Sequence, residues 1–97
     1  MKRVILDNDT MHYAIDFSIG FPVLHLTLHK GITPRLYKYI KNVLLEDTMV
    51  TLGSFGFDTV FSILPEGDEK VIKFNKAMGF EYERTVDGNV WLAQDVL

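Results

Sequence analysis

The sequence predicts an α/β domain built on a mixed, mainly antiparallel sheet of about six or seven strands with two main helices, in the order β-β-β-α-β-α-β-β. Three observations carry that prediction. Runs of alternating polarity stand near both ends, each broken by Gly/Pro or Asp-Gly punctuation. Two helix starts, Thr33-Pro34 and Asp68-Glu69, fall between apolar, β-branched runs. A helix stop at Ala77-Met78-Gly79-Phe80 leads directly into another strand.

Residues 2–6 read as a short first strand, with Asp7-Asn8-Asp9 as turn chemistry. From residue 12 to 19, Tyr13, Ile15, Phe17 and Ile19 alternate with His12, Ala14, Asp16 and Ser18, the period of a half-buried strand. Gly20-Phe21-Pro22 punctuates the chain. Residues 23–29 then alternate again, with Leu24, Leu26 and Leu28 on one face. Lys30-Gly31-Ile32 ends that strand.

Thr33 supplies an N-cap hydroxyl and Pro34 suits the first helical position. Leu36, Ile40, Val43, Leu44 and Met49 form the expected apolar stripe, and the helix is expected to end between Asp47 and Gly53. Residues 57–64 are mostly apolar and β-branched, as in a strand covered on both faces. Asp68 is placed to cap the second helix, whose apolar face is Val71, Ile72, Phe74 and Met78. Gly79 takes the left-handed position after it, and Phe80 folds back on its last turn. Residues 80–86 and 89–96 make a hairpin about Asp87-Gly88. The helix between the third and fourth strands makes those two parallel neighbours.

Ninety-seven residues make a single domain, 1–97, without internal repeat or linker. The composition, 47% hydrophobic and 24% charged, is that of a globular protein. Cysteine is absent, which excludes disulfides, thiol catalysis and cysteine-based zinc sites. His12, His25 and His29 lack the HExxH spacing of a zinc protease. A net charge of −3 gives no footprint for nucleic acid. Val4-Ile5-Leu6 is too short for a signal peptide, which needs roughly 7–15 apolar residues, or for a membrane span of about 20. The expectation is a cytoplasmic protein.

The element order, together with the phrase VIKFNKAMGFEYERT, resembles the carboxy-terminal two thirds of the GNAT superfamily of acyl-CoA-dependent N-acetyltransferases. In that family a late helix commonly closes on a phrase such as FYEKLGF, which Phe74-Asn75-Lys76-Ala77-Met78-Gly79-Phe80 resembles, and Ser62-Ile63-Leu64-Pro65 resembles the strand end before it. The strand and helices that usually build the acceptor site have no counterpart here, so the likeness is to a form trimmed at its amino terminus. Small relatives of this kind are familiar among tailed phages, some as acetyltransferases and others as virion or head-assembly proteins.

The resemblance implies a cofactor loop of the pattern Arg/Gln-x-x-Gly-x-Gly/Ala, whose backbone amides and helix dipole hold a pyrophosphate. The matching stretch, His29-Lys30-Gly31-Ile32-Thr33-Pro34-Arg35-Leu36, has one glycine, and Pro34 has no amide hydrogen. Should acetyl-CoA bind, His29, Lys30, Gly31, Thr33 and Arg35 are the residues expected to hold it. The tyrosine that often serves the family as general acid is replaced by Asn75, which has no proton to supply near neutral pH. No catalytic residue is nominated.

The leading expectation is therefore a non-catalytic GNAT-like protein that acts through protein–protein contacts, in phage virion assembly or on a host target, with no cofactor. The alternative is a minimal acetyl-CoA-dependent N-acetyltransferase. Pairing of exposed strand edges into a homodimer is a further expectation. Elsewhere His25 and His29 read as polar residues on the less buried sheet face, against a two-histidine metal site with no third ligand. Arg35, Lys38 and Lys41 read as a solvated basic face, against an anion or acidic-partner contact. Tyr37 and Tyr39 are expected to pack beside the apolar stripe, Glu81 and Glu83 to face solvent, and Trp91 to lie in the core or an interface.

Overall fold

Six strands form one sheet in the computed structural model, which describes residues 2–96. They are β1 (Lys2–Asp7), β2 (Met11–Asp16), β3 (Val23–Leu28), β4 (Thr59–Pro65), β5 (Glu81–Val86) and β6 (Asn89–Asp95). Their spatial order is β1-β2-β3-β4-β6-β5, and every adjacent pair is antiparallel except β3 and β4. The predicted mixed sheet, its parallel central pair and its two terminal hairpins are all present. Among the described residues no helix is long and apolar enough to cross a membrane.

The helix opened by Thr33 runs as α1 (Pro34–Tyr39), a π-helical segment (Ile40–Leu44) and α2 (Leu45–Ser54). Thr33 Oγ1 accepts the Leu36 N–H at 3.1 Å, with Pro34 at the first helical position. The π segment, closed by the Leu45 N–H on the Ile40 carbonyl, inserts one residue into the helical count. It therefore shifts the apolar stripe. Ile40, Leu45, Met49 and Leu52 enter the core, whereas Val43, expected inside, is 50% exposed. The helix also runs to Ser54, carrying Gly53 within it, because the break comes at Gly56, where φ is +88°.

Other boundaries moved for local reasons. β2 stops at Asp16 rather than at residue 19, since the Asp16 carboxylate accepts the Ser18 N–H at 2.9 Å and also binds the Ser18 hydroxyl. Those bonds fold the chain into a turn and leave Ile19 exposed. They also hold the Asp16 carboxyl below the usual carboxylate range. β3 ends at Leu28, one residue short of His29, and β4 begins at Thr59 rather than 57.

The second helix, α3 (Glu69–Ala77), starts at Asp68 without a side-chain cap from it. The expected side-chain cap is absent, and Asp68 contributes only the ordinary first helical bond, its carbonyl accepting the Ile72 N–H at 3.1 Å. Its end follows the prediction. Gly79 has φ +106°, its N–H bonds the Lys76 carbonyl, and the Phe80 N–H bonds the Asn75 carbonyl, the paired bonds of a Schellman stop. Asp87 and Gly88 both have positive φ, as a two-residue turn between Val86 and Asn89 requires.

One core joins the two helices to the sheet. Met11, Tyr13 and Ile15 of β2, Leu24 of β3, Val60 of β4, and Val90 and Leu92 of β6 meet Ile40, Leu45, Met49 and Leu52, with Met78 and Phe80 closing the end. Tyr13, fully buried, bonds the Thr48 hydroxyl at 2.8 Å, and Thr48 Oγ1 donates to the Leu44 carbonyl at 2.8 Å. This relay ties β2 to the junction of the π segment and α2. Outside that core, Phe21, Phe61 and Trp91 cluster in tilted and edge-to-face contacts with centroids 4.8 to 6.1 Å apart. β4 is thus covered on both faces, by core residues behind Val60 and by rings around Phe61.

Candidate ligand cleft between the parallel strands

β3 and β4 touch at one register pair, Val23 with Phe61, where the Phe61 N–H also reaches the Pro22 carbonyl at 3.0 Å. Beyond that point no further ladder pair joins them. A cleft of about 540 Å³ opens between the strands, lined by Leu24 to Leu28 of β3, Lys30 to Ile32 of the following loop, Ser62 to Leu64 of β4, and α3. From α3 and its approach come Asp68, Lys70, Val71, Phe74 and Asn75. The cleft is mostly apolar, with Lys30 on one wall and Lys70 on the other.

The floor is held by an internal polar pair. Asn75, 3% exposed, donates Nδ2–H to the Val71 carbonyl at 2.8 Å, while its Oδ1 accepts the Ser62 hydroxyl at 3.0 Å. Both ends of the amide are therefore engaged by the scaffold. A buried amide and hydroxyl need such partners, and here they supply them to each other.

Of the five residues expected at a cofactor loop, Lys30 and Gly31 line the cleft, whereas His29, Thr33 and Arg35 lie outside its lining. The His29 N–H bonds the Thr10 carbonyl at 2.8 Å, anchoring the end of β3 to the β1–β2 turn. The Thr33 hydroxyl is taken up by the Leu36 N–H, and the Thr33 carbonyl by the Tyr37 N–H at 2.9 Å. With Pro34 lacking a hydrogen, Arg35 N–H is the remaining first-turn donor. This donor set does not fit a pyrophosphate, which calls for several convergent amides.

Ser62 and Lys70 were not singled out from the sequence. Ser62 carried a faint signal, as the single hydroxyl in the apolar run Phe61-Ser62-Ile63-Leu64; its pairing with Asn75, thirteen positions on, carried none. The other candidates are dispersed. His25 Nε2 lies 3.8 Å from Asp16 Oδ2, and His29 falls outside β3, so the two histidines do not share a strand face. Among the described residues no group of three or more His, Cys, Asp or Glu is arranged to hold a metal. Lys41 sits 5.8 Å from the Tyr37 ring centroid, and the Tyr37 hydroxyl donates to the Ala77 carbonyl at 3.0 Å, linking α1 to α3. Tyr39, expected to pack, is exposed because it falls off the buried stripe. Every residue of β5, Glu81 and Glu83 included, is exposed, as predicted for the glutamates.

No family model matches the chain, and no curated protein matches it. Among solved structures, a domain from Methanocaldococcus jannaschii DSM 2661 superposes with a TM-score of 0.65 at 13% identity. The match covers 95% of this chain and 62% of that one, so this chain spans less than two thirds of its neighbour's length. At that identity the likeness is one of fold.

Proposed function

We propose that the chain is a non-catalytic protein on a GNAT-like scaffold that works through protein–protein contacts in the cytoplasm. The setting implied by the resemblance is tailed-phage particle assembly or the modulation of a host target. The observation that carries the reading is the state of Asn75. The position at which the resemblance would place a proton donor holds a buried amide, bonded at both ends by Ser62 and Val71. An amide so held neither supplies nor relays a proton to a leaving thiolate. The self-capped first turn after Thr33 supports the same reading from the cofactor side.

The alternative, a minimal acetyl-CoA-dependent N-acetyltransferase, is favoured by one feature, the splay of β3 from β4. Its volume of about 540 Å³ lies in the ordinary range for small-molecule sites. Lys30 also brings positive charge to one wall, while Lys70 on the other is accompanied by Asp68. The two readings separate in an assay of CoA release. With acetyl-CoA and a panel of primary amines, the protein is expected to release CoA at the uncatalysed rate. Release that saturates with acetyl-CoA and disappears in Gly31→Trp would overturn the proposal.

A further inference from the structure

The β2–β3 and β4–β6 ladders run the length of their strands, whereas β3 and β4 share only the pair Val23–Phe61. The bonds on either side fix where the backbone points beyond that pair. The Pro22 carbonyl meets the Phe61 N–H across the gap, and the His29 N–H turns the other way, to Thr10 beside β2. Successive residues of a strand direct their N–H and C=O to opposite edges. Leu26 and Leu28 therefore direct theirs into the cleft. On β4 the Phe61 N–H faces β3, while the Asp58 carbonyl and the Glu66 N–H bond on the β6 side, to Val96 and Gly88. Ile63 thus faces the cleft as well, and the Pro65 carbonyl is taken by the Asp68 N–H at 3.0 Å. Inside the sheet, two strand edges face each other with no ladder partner, a cost to the fold unless another group bonds them.

The walls set what fits between them. Leu24 and Leu26 stand opposite Ile15 and Tyr13, on the helix side of the sheet, and His25 and Thr27 alternate with them on the other face. A strand laid in the gap puts every second side chain against Leu26, Leu64 and Phe74, which pack on the core. Its remaining side chains point to the face of His25 and Thr27. From residue 24 to 28 β3 spans about 13 Å, room for about four extended residues. The charged groups of the lining are Lys30, Lys70 and Asp68, and neither lysine is ion-paired among the described residues. Cations exceed anions by one, so an acidic segment is the better electrostatic match.

We propose that the cleft takes an extended, acidic segment of a partner protein as an added strand between β3 and β4, its side chains alternating apolar and polar. Main-chain bonds to Leu26, Leu28 and Ile63 hold it, and the apolar wall selects its alternate side chains. The inference rests on the contact reading above and gives that contact its place.

Amide NMR of the full chain, titrated with the blocked peptide acetyl-Val-Glu-Val-Glu-amide, tests it, with acetyl-CoA in a parallel titration. The peptide is expected to shift the amide signals of Leu26, Leu28 and Ile63 saturably and to slow their hydrogen exchange. N-methylation of both valine amides removes donors and keeps the side chains, and is expected to weaken binding about tenfold or more. Acetyl-Val-Lys-Val-Lys-amide is expected to bind about threefold more weakly. Leu28→Pro deletes one cleft-facing N–H that the β2 ladder does not use, and Val71→Trp fills the cleft from α3; each is expected to abolish the shifts in a spectrum that stays folded elsewhere. Binding indifferent to N-methylation, to the lysine peptide or to both variants overturns the proposal. Amides silent to peptide and acetyl-CoA alike overturn it too, and leave the contact reading standing on another surface. The same amides answering acetyl-CoA alone overturn both.

Discussion

Phe80→Ala is expected to lower the stability of this domain by about 3–5 kcal/mol, the usual cost of removing a buried phenylalanine ring. The ring is 2% exposed and sits where α3 ends and the last hairpin begins. Its backbone N–H closes the Schellman bond to Asn75, while its side chain joins the cluster containing Met78, Val90 and Leu92. One residue thus fixes the exit direction of the chain and fills the end of the core. Against a total of about 5–15 kcal/mol for a domain of this kind, the loss leaves the variant marginal. Urea unfolding checks it: the midpoint should fall sharply while the slope stays that of the wild type. A loss below about 1 kcal/mol would mean that the ring is not packed as described.

Alkaline unfolding should carry the signature of Tyr13. Burial pushes its phenol up to about 12, against 10.0 for an exposed tyrosine, with the Thr48 hydrogen bond opposing and Asp47 adding to the rise. The folded state therefore keeps the proton after the unfolded chain has released it. Below pH 10 the contribution is fully present, and it is lost as pH rises from 10 through about 12. Two units correspond to about 3 kcal/mol. In Tyr13→Phe the stability difference from wild type should shrink across that window, because only the wild type loses the term. Parallel stability curves for the two proteins up to pH 12 would contradict the burial of this hydroxyl.

Much of the fold was legible because its punctuation is local. Thr33-Pro34, Gly79-Phe80 and Asp87-Gly88 each act through one turn of chain, and all three stand where the sequence placed them. The π segment was not legible, since helical spacing assumes one residue count throughout and Ile40–Leu44 adds to it. Val43 was assigned inward and Leu45 overlooked for that reason. The early end of β2 escaped a pattern test because residues 17–19 continue the alternation, while the Asp16–Ser18 bonds that turn the chain are side-chain chemistry.

The cleft was legible only in part. A stretch after the third strand could be proposed from its loop, which brought in Lys30 and Gly31. The opposite wall, Lys70 and the Ser62–Asn75 pair, depends on how far β4 leans from β3 and on where α3 lies across the gap. Those are tertiary quantities, in which β3 and β4 share only the ladder pair Val23–Phe61 and the Tyr37 hydroxyl links α1 to the end of α3. No local spacing encodes them.

The central claim, that this scaffold works by contact and not by acyl transfer, is tested most directly by a calorimetric titration with acetyl-CoA at low salt. Attraction between Lys30 or Lys70 and a phosphate is least screened there. The account predicts a flat titration up to about millimolar ligand, a regime in which any remaining interaction is worth no more than about 4 kcal/mol. Saturable heat near one equivalent, abolished in Gly31→Trp, would contradict it and give the cleft to the cofactor.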